Sequence, residues 1–113
     1  MPERRTPRRV ASVIRLRPEH ADSYRELHRA VPQPVLDTLS RAHITNYSIF
    51  LRDDTLFAYY EYTGDDYDAD MAAVAADPGT RHWWTLTDPC QQPLDSAGSG
   101  ERWVDGEELF HLD

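Results

Sequence analysis

The chain has 113 residues, 40% hydrophobic and 11% aromatic, enough for one globular core and too few for two. A net charge of -8, from 12 basic and 20 acidic residues, repels phosphate backbones and anionic lipid alike, so neither nucleic acid nor a membrane is expected as a partner. Every basic residue is an arginine, which excludes a Schiff-base lysine and a P-loop lysine.

Residues 1–9, with Arg4, Arg5, Arg8 and Arg9, read as a flexible N-terminal tail. The apolar stretch that follows is interrupted by Arg15 and Arg17, so it is not a signal peptide. Residues 10–113 are read as a single domain. Residues 10–16 alternate as a strand, with Val10, Ser12, Ile14 and Leu16 on one face. Pro18 suits a first helical turn, and Ala21, Tyr24, Leu27, His28 and Val31 recur at helical spacing. Pro32 and Pro34 interrupt that pattern. Val35, Leu36 and Leu39 resume it to about residue 42, as one bent helical region or two short helices.

Residues 44–51 read as a strand whose two faces are Thr45, Tyr47, Ile49, Leu51 and Ile44, Asn46, Ser48, Phe50. A turn at 52–54 and an aromatic-rich strand at 55–62 complete an antiparallel hairpin. An acidic loop at 64–68 leads to a short helix at 70–76, ended by Asp77-Pro78-Gly79. Thr80 is placed to cap a further turn of helix carrying Trp83 and Trp84. A polar loop at 89–100 and a last strand at 107–112, beginning somewhere after Arg102, close the chain. The order strand, helix, strand, strand, helix, strand is the ferredoxin-like split βαβ arrangement, an α+β fold with helices on one face of an antiparallel sheet. The other sheet face is left bare, so a homodimer, the dimeric α/β barrel, is expected.

Tyr24 and His28, four apart on one helical face, are neighbours, and a phenol beside an imidazole is a workable proton-handling pair. Read only by spacing, each suits a packed core position as well as a site. Tyr47 in its strand and the adjacent Trp83 and Trp84 divide in the same way between packing and lining a cavity. A tryptophan face can stack on the apolar C–H patch of a sugar ring. The acids Glu61, Asp65, Asp66, Asp68 and Asp70 lack EF-hand spacing. His20, His28, His43, His82 and His111 lack a metal-binding spacing, so no metal is expected. The lone Cys90 excludes an intramolecular disulfide and points to a reducing, cytoplasmic setting.

Taken together, Tyr24-x-x-x-His28, Asn46-Tyr47-Ser48-Ile49 with Leu51, Leu56-Phe57-Ala58 with Glu61, Trp83-Trp84 with Thr87-Asp88, and Glu108-Leu109-Phe110 resemble the L-rhamnose mutarotases over nearly the full chain. The resemblance implies a cofactor-independent isomerase, a mutarotase that interconverts the α and β anomers of a neutral deoxyhexose such as L-rhamnose or L-fucose. It implies His28 as the catalytic proton donor, with Tyr24, Tyr47, Trp83 and Trp84 binding the monosaccharide. Two departures stand out. Val31-Pro32-Gln33-Pro34 replaces a Trp-Pro-Glu type segment. The tryptophan pair also lies one residue nearer Thr87-Asp88 than in the family, so His82 with Trp83 is the alternative pair. Two other readings share the architecture: a cofactor-free monooxygenase or cyclase, and a non-catalytic sugar-binding accessory domain.

Overall fold

The computed structural model describes residues 6–113. Five strands and four α-helices follow in the order β1 (Arg8–Leu16), α1 (Ala21–His28), α2 (Gln33–Arg41), β2 (Ile44–Arg52), β3 (Thr55–Tyr62), α3 (Tyr67–Ala76), α4 (Pro78–Thr87), β4 (Gln91–Gln92) and β5 (Val104–Asp105). The sheet runs β2-β3-β1-β4, with β5 also paired to β1 and every pairing antiparallel. This is the strand order of the split βαβ fold, with β1 at the centre.

Each element forms for a local reason. Val10, Ser12, Ile14 and Leu16 alternate into the core from β1, where Ile14 and Leu16 pack with Leu56, Tyr24 and Cys90. Pro18 opens a 3-10 turn, Pro18–His20, that leads directly into α1. Pro32 and Pro34 divide the helical region in two: α1 ends at His28, and Pro34 sits in the first turn of α2, where its missing N–H costs nothing. Val31 therefore lies outside α1 rather than on its face. Asp66 Oδ1 accepts from the Ala69 amide at 3.1 Å, so α3 starts before the sequence-expected residue 70. Asp77 ends α3 and caps α4 by accepting from both the Thr80 amide and the Thr80 hydroxyl at 2.9 Å. The cap is Asp77, and Thr80 is its partner.

Three further expectations are corrected. First, Arg8 and Arg9 are not part of a tail: they belong to β1, paired with Tyr62 and Glu61, and Arg9 also holds Glu108 at 2.6 Å. Residues 1–5 lie outside the described residues. Second, the last strand begins after Arg102 but is only Val104–Asp105, and residues 107–112 form no strand. The segment has no sheet partner among the described residues; the last pairing is the short β5, after which the Gly106 amide donates to the Ala11 carbonyl at 2.7 Å. Third, β2 does not keep one alternation throughout. Between Thr45 and Ser48 the register shifts against β3, and Asn46 adopts a left-handed φ of 48°. Such a bulge places two residues opposite one, and an extra residue reverses the parity of everything after it. Ile44 and then Tyr47, Ile49 and Leu51 thereby share the helix-covered face with Tyr60, Ala58 and Leu56 of β3.

Candidate functional site

The site lies where α1, α2 and α4 cross the sheet beside that bulge. Helix α1 contributes Tyr24 and His28, β2 contributes Tyr47 and Ile49, and α4 contributes Trp83. These five line two cavities at once, one of about 440 Å³ and one of about 330 Å³. The first is largely aliphatic, walled by Val35, Leu36, Leu39 and Leu56. The second adds Trp84, Asp88, Gln91 and Arg102. The site therefore has an apolar half and a polar half that meet at the tyrosines and His28.

The geometry around His28 fixes its tautomer. Nδ1 lies 2.8 Å from the backbone carbonyl of Tyr24. A carbonyl can only accept, so Nδ1 carries the proton, and the lone pair of the neutral ring is on Nε2. The ring stacks at a tilt on Tyr24, with centroids 4.3 Å apart, and meets Trp83 edge-on at 5.3 Å. Tyr24 is buried, and its Oη accepts a hydrogen bond from Gln91 Nε2 at 3.2 Å. Burial pushes the Tyr24 phenol up to about 12, so it remains a protonated donor across physiological pH.

All five residues singled out from the sequence line this site. Trp83 is 8% exposed and borders both cavities; Trp84 is 38% exposed and borders only the polar one. His82 is exposed and lines neither, so the adjacent pair that borders the polar cavity is Trp83 with Trp84. Sequence reasoning missed Gln91 and Arg102. Both lie in or beside what reads as a polar loop with no periodicity, and no signal in that stretch marks them. Cys90 is buried in the core and its thiol donates to the Leu86 carbonyl; burial pushes its ionisation up, away from a reactive thiolate. Among the described residues, no three His, Cys, Asp or Glu side chains gather as a metal site, and no helix is long and apolar enough to cross a membrane.

Comparison with known proteins places the chain in a family. The family described as L-rhamnose mutarotase matches residues 9–112. The L-rhamnose mutarotase of Burkholderia orbicola is 33% identical over 112 residues, covering 92% of this chain and 97% of its own. That of Listeria monocytogenes is 30% identical over 106 residues with the same coverage. Among solved structures, the L-rhamnose mutarotase of Formosa agariphila superposes with a TM-score of 0.74 at 22% identity, covering 94% of this chain and 99% of that one. The tetracenomycin F2 cyclase of Streptomyces glaucescens superposes with a TM-score of 0.61 at 12% identity, covering 94% and 97%; it shares the fold. With nearly its whole length matched, the chain belongs to the L-rhamnose mutarotase family.

Proposed function

We propose that this protein interconverts the α and β anomers of L-rhamnose, and of close neutral deoxyhexoses such as L-fucose, by general acid–base catalysis without a cofactor. Mutarotation needs only proton movements: the anomeric hydroxyl loses a proton, the ring oxygen gains one, and the opened chain recloses on the other face. The observation that carries the reading is the pairing of opposite proton roles at one point of the cavity. His28 has its Nδ1 proton committed to the Tyr24 carbonyl, which leaves Nε2 to accept from a sugar hydroxyl. Tyr24 has its Oη lone pair occupied by Gln91, which leaves its proton to donate. On ring closure His28, protonated in the first step, returns its proton to the carbonyl oxygen that becomes the anomeric hydroxyl, and the Tyr24 phenolate recovers its proton from the hydroxyl that re-forms the ring. Tyr47 holds a second hydroxyl, and Trp83 and Trp84 offer indole faces to the apolar side of the ring. The aliphatic half suits the methyl of a 6-deoxy sugar, and the net charge of -8 disfavours a sugar phosphate or sugar acid.

Two features of the chain extend the proposal. The residues after β5 leave Leu109, Phe110 and Leu112 between 79% and 87% exposed, and Phe50 and Phe57 stand exposed on the sheet. So much apolar surface fits a homodimer in which a second copy covers it; sedimentation at micromolar concentration as a single 13 kDa species would overturn that part. The lone, buried, reduced Cys90 fits a cytoplasmic enzyme. The catalytic reading is tested by NMR saturation exchange between the anomers of L-rhamnose and L-fucose. Accelerated exchange is expected. Ligand-dependent melting shifts with no accelerated exchange would mark a sugar-binding accessory domain instead.

A further inference from the structure

We propose that Gln91 is a positioning residue for the reaction, oriented by Arg102 so that Tyr24 must act as a hydrogen-bond donor to the sugar. The inference rests on the mutarotase reading above and assigns a role to two residues outside the five.

The argument follows from which groups can donate. Arg102 Nη2 lies 3.3 Å from Gln91 Oε1 and 3.0 Å from the Asp88 carbonyl. A guanidinium has no acceptor, so the atom of Gln91 facing it is the carbonyl oxygen. The other end of the amide, Nε2, then faces Tyr24 Oη at 3.2 Å. An amide nitrogen donates and does not accept, so Oη receives this bond and its own proton is free for another partner. Tyr24 lines both cavities, where that partner is the bound sugar. Gln91 is 5% exposed and belongs to β4, paired with Leu16 of the core strand, so the amide is held by the sheet on one side and by Arg102 on the other. Arg102 is itself held beside Asp88 by the Nη2 bond to the carbonyl, with Nε within ion-pair reach of Oδ1 at 3.6 Å but making no hydrogen bond among the described residues. The relay runs from Asp88 through Arg102 and Gln91 to Tyr24, and its direction is set by a side chain that can only donate.

Gln91→Glu tests the direction while keeping the shape. The carboxylate it introduces still accepts from Arg102, but toward Tyr24 it can only accept, so it draws the phenol proton away from the sugar. Anomer exchange on the Gln91→Glu protein is expected to fall about 10²-fold in kcat, with KM little changed and the melting temperature near that of the parent. The same change in a Tyr24→Phe background should cost almost nothing further, because the two act through one proton. A Gln91→Glu rate equal to the parent's, or an equal loss with and without the Tyr24 hydroxyl, overturns the inference. If Gln91→Glu fails to fold, Arg102→Met, at a half-exposed position, frees the amide to turn. A smaller loss that also disappears in the Tyr24→Phe background is then expected, and an unchanged rate overturns the inference. A parent protein that exchanges no deoxyhexose would overturn the sugar reading together with this inference, whereas an active parent with an indifferent Gln91 overturns this inference alone.

Discussion

Tyr24→Phe separates the two things the Tyr24 hydroxyl does. In the fold, Oη is the partner of a buried amide donor, Gln91 Nε2. Removing it leaves that N–H unpaired, at a cost of about 1–3 kcal/mol. Gln91 keeps its second anchor on Arg102, which places the loss at the low end, roughly 1 kcal/mol, or about 5 °C in Tm for a domain of this length. In the proposed reaction, the same change removes a proton donor, worth about 10²-fold or more in kcat. The two effects are read by thermal melting and by saturation exchange on one protein preparation. Because burial holds the phenol near 12, the donor is protonated at every pH from 5 to about 9, so the rate deficit should be the same across that range. The linkage runs the same way for stability. The native phenol ionises above its ordinary value of 10.0, so its contribution is complete below about pH 10 and is lost between about 10 and 12. A Tyr24→Phe protein that exchanges anomers at the parent rate, or whose deficit vanishes between pH 5 and 9, refutes the reasoning.

The two tryptophans should part company. Trp83→Ala empties a core position and is expected to cost about 3–5 kcal/mol in a denaturant titration. Trp84→Ala should leave stability within about 1 kcal/mol and raise KM for the sugar roughly 2- to 10-fold. Asp77→Ala removes the cap of α4 and should lower Tm by about 5 °C at neutral pH. The Thr80 amide and hydroxyl hold the Asp77 carboxyl below its ordinary value, so this difference should be complete above about pH 4 and shrink as pH falls through the lowered native value.

Much of this was legible in the sequence, for a physical reason: periodicity follows from which side chains are buried. Val10 to Leu16 and the residues of β3 alternate and form strands, and Pro32 with Pro34 divides α1 from α2. The bulge in β2 was not legible, because counting by twos assumes that no residue is added. The one clue is Asn46, a residue type that tolerates the left-handed φ it adopts. That single residue decides whether Tyr47 faces His28 or the opposite side of the sheet. The segment at 107–112 misled for the opposite reason. Leu109, Phe110 and Leu112 suit burial, but they stand exposed and pair with no strand among the described residues. Gln91 and Arg102 were out of reach because a hydrogen-bond relay joining residues 24, 91 and 102 leaves no period in the chain.

The central claim is that the His28 imidazole moves the proton between sugar and protein. It is tested most directly by NMR saturation exchange between the L-rhamnose anomers with parent and His28→Gln proteins, each checked for native melting. The account predicts exchange above the buffer rate for the parent and a return to the buffer rate for His28→Gln. A folded His28→Gln protein that exchanges the anomers as fast as the parent would contradict it.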